Sequence, residues 1–179
     1  MDKHEDFMRL ALEEAGLALA AGEFPVGCVF VRHGEVVARG RRTNSRPGLA
    51  NEMDHAEIAG LRSLLAKRPA VDPGEVTVYS TMEPCLMCHV TLLLNGIRKI
   101  VYAYEDVMTG GTGLELKNLP PLFRQMEVEI VPSVLRRESL ALFQRFFASR
   151  DSSYWQGSLL AEYTLTRADR QEERAEGEE

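Results

Sequence analysis

The sequence contains few cysteines and no long apolar stretch. Its three cysteines, Cys28, Cys85 and Cys88, form an odd set in a chain without an export signal, which argues against a disulfide framework. No apolar run approaches the roughly 20 residues that a membrane-spanning helix needs. Residues 1–10 mix charges of both signs, unlike a signal peptide. These absences predict a cytoplasmic protein without a membrane partner.

Positive charge is also scarce. The chain has 21 Lys and Arg against 27 Asp and Glu, a net charge of -6 at pH 7. Residues 162–179 hold seven acidic residues and three arginines, which is a net charge of -4. Binding of nucleic acid relies on cations that neutralise phosphates, so the balance weighs against a large polyanionic partner. The charge density of residues 167–179 predicts an acidic, disordered tail.

Hydrophobic periodicity predicts alternating helices and strands. A length of 179 residues suits one domain, for which we predict residues 1–166, with a core over 5–150 and a helical extension over 151–166. Strands that alternate with helices predict an α/β sandwich, and an opening hairpin makes the sheet mixed. The predicted helices are 4–21, 55–67, 84–95, 133–150 (capped by Ser133) and 154–166, and the predicted strands are 26–32, 35–41, 76–81, 98–104 and 127–131.

Two short motifs carry the chemistry: His55-Ala-Glu57 and Glu83-Pro-Cys-Leu-Met-Cys88. Alone, the first is common, and the second could be a redox pair, half of a zinc finger or two core cysteines. Each motif falls at the start of a predicted helix that follows a loop, so both can point ligands into one space. His55, Cys85 and Cys88 supply three zinc ligands and leave one coordination position for water, the pattern of a catalytic site.

Glu57 is the candidate catalytic group. It lies two positions after His55 and cannot easily ligate the same metal from the same helical turn. It can instead take a proton from a zinc-bound water and pass it to a leaving nitrogen. His89 follows Cys88 directly and should point to another side of its helix, so we do not expect it to be a fourth ligand.

Together, the H-A-E and P-C-x-x-C motifs resemble the zinc signature of the cytidine deaminase superfamily. Further segments resemble the bacterial tRNA adenosine deaminases, over roughly residues 5–150. These segments are Glu23–Gly27, Asn44, Thr81–Cys88, Asp106–Gly110 and Phe143–Arg150.

This resemblance implies a three-layer α/β/α fold around a five-stranded mixed sheet. It implies one zinc ion on His55, Cys85 and Cys88, with Glu57 as the proton shuttle. It also implies a homodimer. By matched position, the candidate substrate contacts are Asn44, Asp106, Phe24 and Pro25. Asn44 could alternatively be a turn former beside Ser45 and Pro47.

The chain also departs from the tRNA-acting pattern. Asn51–Asp54 stand where that subfamily usually has a proline and a threonine, and Met108 stands where it usually has a lysine. The segment Tyr154–Tyr163 has no counterpart that we recognise. Tyr154 and Trp155 could cover a pocket or stack on a base, although core or interface aromatics are the simpler interpretation.

The charge balance decides between the substrates. It favours hydrolytic deamination of a small substrate: a free base, nucleoside or nucleotide. The alternatives are deamination of the wobble adenosine in tRNA and a silent zinc-binding partner subunit, against which Glu57 argues. Near the predicted pocket mouth lie four arginines that could bind phosphate or simply form a solvated strand edge: Arg39, Arg41, Arg42 and Arg46.

Overall fold

A computed structural model describes residues 3–149 and 153–166 of the chain. The predicted acidic tail, 167–179, lies outside the described residues. The helices are α1 (Lys3–Ala20), α2 (Ala56–Lys67), α3 (Leu86–Leu94), α4 (Pro121–Arg124), α5 (Arg136–Ala148) and α6 (Leu159–Thr166). The strands are β1 (Gly27–Arg32), β2 (Glu35–Arg41), β3 (Val76–Met82), β4 (Lys99–Tyr104) and β5 (Glu129–Val131). Short 3-10 turns occupy Pro73–Glu75 and Leu116–Asn118.

The five strands form one mixed sheet in the order β2-β1-β3-β4-β5. The strand β1 runs antiparallel to both β2 and β3, whereas β3, β4 and β5 are parallel. Parallel neighbours need crossover helices, and α3 provides the crossover between β3 and β4. The predicted fold class is therefore confirmed.

Alternation along the strands gives the sheet two apolar faces. On β1, Val29 packs with α1 on one face, and Phe30 packs with α2 and α3 on the other. Helices α5 and α6 join the second face through Phe143 and Leu160. Helices therefore cover both faces, as predicted. Among the described residues, no helix is both long and apolar enough to cross a membrane.

Several predicted boundaries are wrong. Ser133 does not cap α5: it has a φ of +65°, and α5 begins at Arg136 after Leu135, whose φ is also positive. The reason is tertiary, because the Val134 amide donates to the Tyr102 carbonyl of β4 and the chain must turn before the helix starts.

The third and last helices begin later than predicted. Helix α3 starts at Leu86, two residues after the proline, with Cys85 as its N-cap residue. Helix α6 starts at Leu159, and the residues before it form turns that include Trp155 at a φ of +57°.

Candidate metal centre and active site

The three predicted ligands converge at the starts of two helices. His55 is the N-cap residue of α2, Cys85 is the N-cap residue of α3, and Cys88 lies within the first turn of α3. The Nδ1 atom of His55 lies 3.5 Å from the Cys85 sulfur and 3.4 Å from the Cys88 sulfur. The three donor atoms all lie within 4.8 Å of one another.

These separations fit a tetrahedral zinc ion. Zinc–sulfur and zinc–nitrogen bonds of about 2.3 and 2.1 Å at a tetrahedral angle place a nitrogen and a sulfur about 3.6 Å apart. The observed distances of 3.5 and 3.4 Å agree with that value. The donor set of one imidazole and two thiols is also one that zinc prefers. His55, Cys85 and Cys88 can therefore hold zinc, as predicted.

The pKa values of the three candidate ligands favour a thiolate beside the histidine, which suits binding of a cation. A hydrogen bond with Cys88, together with His55, lowers the pKa of the Cys85 thiol to about 4 although burial opposes the charge. Burial also opposes the charged form of His55, but Cys85 and Glu57 outweigh it and raise the His55 pKa to about 9. The hydrogen bond with Cys85 raises the pKa of the Cys88 thiol. A divalent cation would displace the protons that these groups share.

Glu57 lies beside the ligand cluster in the first turn of α2 and is only 3% exposed. Its Oε1 accepts a hydrogen bond of 2.8 Å from the Ser80 hydroxyl of β3, and its Oε2 lies 3.5 Å from the Cys88 sulfur. Burial raises the pKa of the Glu57 carboxyl. A carboxyl with a raised pKa, held in one orientation, can accept and release a proton near neutral pH.

A pocket opens over this cluster and is shared by His55, Glu57 and Cys85. Phe24 forms part of its apolar wall, and its ring packs 5.2 Å from the ring of Tyr154. Its role as a substrate contact stays a prediction. Tyr154 and Trp155 line the pocket as well, so these two aromatics cover it rather than sitting only in the core.

The other candidate substrate contacts fall in different places. Asp106 lines the pocket, but its carboxylate accepts hydrogen bonds from Met108 and Thr109 of its own loop. Pro25 is not among the lining residues. Asn44 has a φ of +54° and donates to Asp54 at 2.7 Å, which is the turn-forming alternative. It is not a lining residue either.

The four arginines do not form one cluster at the pocket. Arg39 and Arg41 are ion-paired with Glu14 of α1, at 3.5 and 3.2 Å. Arg46 is ion-paired with Glu23 at 2.9 Å. Of the four, only Arg42 lines the pocket, where its side chain is 2% exposed. The predicted grouping is therefore wrong. Arg39 and Arg41 share one face of β2, whereas Arg42 and Arg46 follow the end of that strand, where the chain changes direction.

Two acidic residues of the site have roles that were not predicted from the sequence. Glu52 contacts His55, the zinc ligand, and lies in the segment that departs from the tRNA-acting pattern, so that departure was an available signal. Glu83 accepts hydrogen bonds from the Asp106 amide at 3.1 Å and from the Thr112 hydroxyl at 2.6 Å. It thereby holds the loop that follows β4 against the site, and no sequence signal pointed to this role.

Known proteins resemble this chain in both sequence and fold. Residues 1–104 match the family model of the cytidine and deoxycytidylate deaminase zinc-binding region. The tRNA-specific adenosine deaminase of Aquifex aeolicus is 30% identical over 145 residues, which cover 80% of this chain and 93% of that protein. The tRNA-specific adenosine deaminase subunit tad2 of Schizosaccharomyces pombe is 32% identical over 83% of this chain, which spans only 38% of that subunit.

A solved structure agrees with these similarities. It comes from biochemical and structural studies of A-to-I editing by tRNA:A34 deaminases at the wobble position of transfer RNA. It matches with a TM-score of 0.66 and 30% sequence identity, over 76% of this chain and 98% of that chain. The matched zinc-binding region includes His55, Cys85 and Cys88. The chain therefore belongs to the family of zinc deaminases defined by the cytidine and deoxycytidylate deaminase zinc-binding region.

Proposed function

We propose that this protein is a zinc-dependent adenosine deaminase that converts the wobble adenosine of a tRNA to inosine. The observation that carries the proposal is a zinc-ligand cluster and a buried carboxyl in one pocket, within a chain that resembles tRNA-specific adenosine deaminases over four-fifths of its length. The deaminase chemistry follows from the pocket, and the tRNA substrate follows from the similarities.

The similarities favour tRNA over the small substrate that the charge balance favoured. Net charge sums over the whole chain, including acidic residues 162–179 and arginines that are already ion-paired with Glu14 and Glu23. It therefore does not describe the surface that a substrate meets. A free base as substrate has no comparable support from the named relatives.

The reaction exchanges an exocyclic amine for an oxygen. Water adds to C6 of adenine, the bond from C6 to the exocyclic nitrogen breaks, and ammonia leaves. Zinc held by His55, Cys85 and Cys88 would supply the Lewis acidity that makes water a nucleophile at neutral pH.

Glu57 would move the protons of this reaction. Its carboxylate moves one proton of the attacking water to N1 of the ring and then moves the remaining hydroxyl proton to the leaving nitrogen, so the carboxylate is regenerated in each turnover. The hydrogen bond from Ser80 leaves Oε2 as the oxygen that faces the ligand cluster. Because burial raises the Glu57 pKa, the protonated form after the first transfer is accessible.

The aromatic residues that line the pocket suit a base that has been extruded from the stacked bases of the tRNA. A deaminase cannot reach a stacked base, and it holds the extruded base between aromatic and apolar side chains. Phe24, Tyr154 and Trp155 provide such surfaces beside Glu57. Stacking on an aromatic side chain contributes about 1–3 kcal/mol per base.

The test is a substrate panel with zinc-loaded enzyme. The panel holds an unmodified tRNA with adenosine at position 34, the same tRNA with guanosine there, and adenine, adenosine, adenosine monophosphate, cytidine and guanine. Inosine in digested tRNA and released ammonia are measured, with Glu57→Gln as the control. We expect inosine only in the first tRNA.

Each other outcome contradicts a stated part of the proposal. Turnover of a free base, nucleoside or nucleotide without conversion of tRNA would establish the small-substrate hypothesis instead. No turnover at all by zinc-loaded protein would establish the silent-subunit hypothesis. The homodimer that the resemblance implies stays a prediction, which light scattering on the purified protein tests.

A further inference from the structure

We propose that Glu52 is a positioning residue for the zinc ligand His55, and that Tyr154 holds Glu52 in place. Through this contact, the segment after α5 becomes part of the support of the metal centre. The inference rests on the zinc site of the proposed deaminase and not on its substrate.

The two ring nitrogens of His55 face different partners. Nδ1 lies 3.4 and 3.5 Å from the two sulfurs, and Nε2 lies 3.1 Å from Oε2 of Glu52. An imidazole that binds a metal through Nδ1 carries its proton on Nε2, and a carboxylate that accepts this proton fixes both the tautomer and the ring orientation. Glu52 is in the position to do so.

Glu52 needs support because its side chain is 57% exposed. An exposed carboxylate alone would exchange between partners and solvent. Here the Tyr154 hydroxyl lies 3.1 and 3.0 Å from its two oxygens, and Nη2 of Arg42 lies 3.5 Å from Oε2. Tyr154 and Arg42 therefore restrict the carboxylate to the side that faces His55.

Arg42 and Tyr154 are themselves held in place by contacts with other residues. The Arg42 side chain is 2% exposed, and its Nη2 donates to the Asn51 carbonyl at 2.7 Å and to the Tyr154 hydroxyl at 3.2 Å. The Tyr154 ring packs against Phe24 and lies 5.4 Å from the Arg42 guanidinium carbon. The contact between Tyr154 and Glu52 spans 102 positions of the chain.

The backbone around Glu52 is also fixed locally. The Asn51 side-chain oxygen accepts hydrogen bonds from the amides of Met53, at 2.9 Å, and Asp54, at 3.1 Å. This Asx-type turn includes Glu52, three positions before His55. The segment that departs from the tRNA-acting pattern is therefore an ordered support for the zinc ligand.

The experiment measures zinc affinity, without substrate, by competition with a chromogenic chelator. The variants are Glu52→Ala, Glu52→Gln and Tyr154→Phe, with Glu127→Gln as the control, since Glu127 is an exposed acid just before β5. Loss of a carboxylate that orients a metal-bound histidine typically weakens metal affinity 10–100-fold, and we expect that range for Glu52→Ala. Glu52→Gln should lose less because its amide oxygen still accepts from Nε2.

Tyr154→Phe keeps the ring and removes the hydroxyl, so we expect a smaller loss of zinc affinity in the same direction. The control variant should bind zinc like the wild type. Urea unfolding of the metal-free proteins should show at most a small fall in the midpoint for Glu52→Ala, because the contacts of an exposed carboxylate contribute little to stability.

Three results would overturn the inference. Wild-type zinc affinity in Glu52→Ala would remove the positioning role. A large fall in the unfolding midpoint of metal-free Glu52→Ala would make Glu52 a general structural residue. Wild-type zinc affinity in Tyr154→Phe would show that the Tyr154 hydroxyl does not hold Glu52 in place. The zinc titration contains no tRNA, so a negative result would contradict the role of Glu52 without bearing on the proposed tRNA substrate.

Discussion

Gly40 sets how closely α2 can approach the sheet, and α2 carries the active-site residues. A Cβ at Gly40 of β2 would lie 2.1 Å from the Ala56 carbonyl oxygen and 2.6 Å from the Gly60 nitrogen. Close carbon–oxygen contacts are about 3.3 Å. In Gly40→Ala, the start of α2 must therefore move away by about 1 Å, and His55 and Glu57 must move with it.

The expected cost follows from that displacement. Overpacking of a well-packed contact destabilises a protein by about 1–3 kcal/mol. A misplacement of reacting groups by about 1 Å lowers the rate by roughly 100-fold. For Gly40→Ala we therefore expect a lower free energy of unfolding and a kcat/KM that is about 100-fold lower.

The assay pairs urea unfolding with turnover of the substrate that the panel identifies. Gly16→Ala is the matched control, because Gly16 lies inside α1 and a Cβ there meets no heavy atom within 4 Å. In a helix interior, alanine is more favourable than glycine by up to about 1 kcal/mol, so this control should be at least as stable as the wild type and equally active. Wild-type stability and kcat/KM in Gly40→Ala would refute the reasoning.

Three further predictions concern the site and the tail. Glu57→Gln should fold and keep zinc but lose about 10²–10⁴-fold in kcat, and near-wild-type turnover would remove Glu57 as the proton shuttle. Metal analysis should find about one zinc per wild-type chain and a strong loss in Cys88→Ala, whereas full zinc content in that variant would contradict the assigned ligand set. Deletion of residues 168–179 should leave kcat/KM within about two-fold of the wild type, because a segment of this charge density is expected to contribute little to an apolar pocket. A larger drop would place this segment at the active site.

The candidate zinc ligands and Glu57 could be placed together from the sequence because their spacings along the chain are short. His55 and Glu57 are two positions apart, and Cys85 and Cys88 are three apart, each pair at the start of a helix. Helix geometry and zinc chemistry restrict what such spacings can do. The mixed sheet was predictable for a similar reason, since a hairpin followed by strand–helix alternation leaves few topologies.

The four arginines show what sequence proximity cannot decide without geometry. Arg39 and Arg41 point to the side of α1, where Glu14 pairs with both. Arg42, the next residue, is buried on the opposite side, in the pocket. Arg39 and Arg41 share one face of β2, whereas Arg42 follows the end of that strand, and only the packing of α1 supplies the acidic partner.

By itself, the sequence determined the fold class, the candidate zinc ligands and the candidate proton shuttle, because these depend on short spacings and on periodicity. Only the tertiary structure decided which residues support that set. Glu52 stands three positions before His55, yet the hydroxyl that contacts its carboxylate belongs to Tyr154, 102 positions away along the chain. Ser80 reaches Glu57 only because the folded sheet brings β3 near the first turn of α2. Contacts between distant segments are made by the folded sheet and its helices, and no local pattern encodes them.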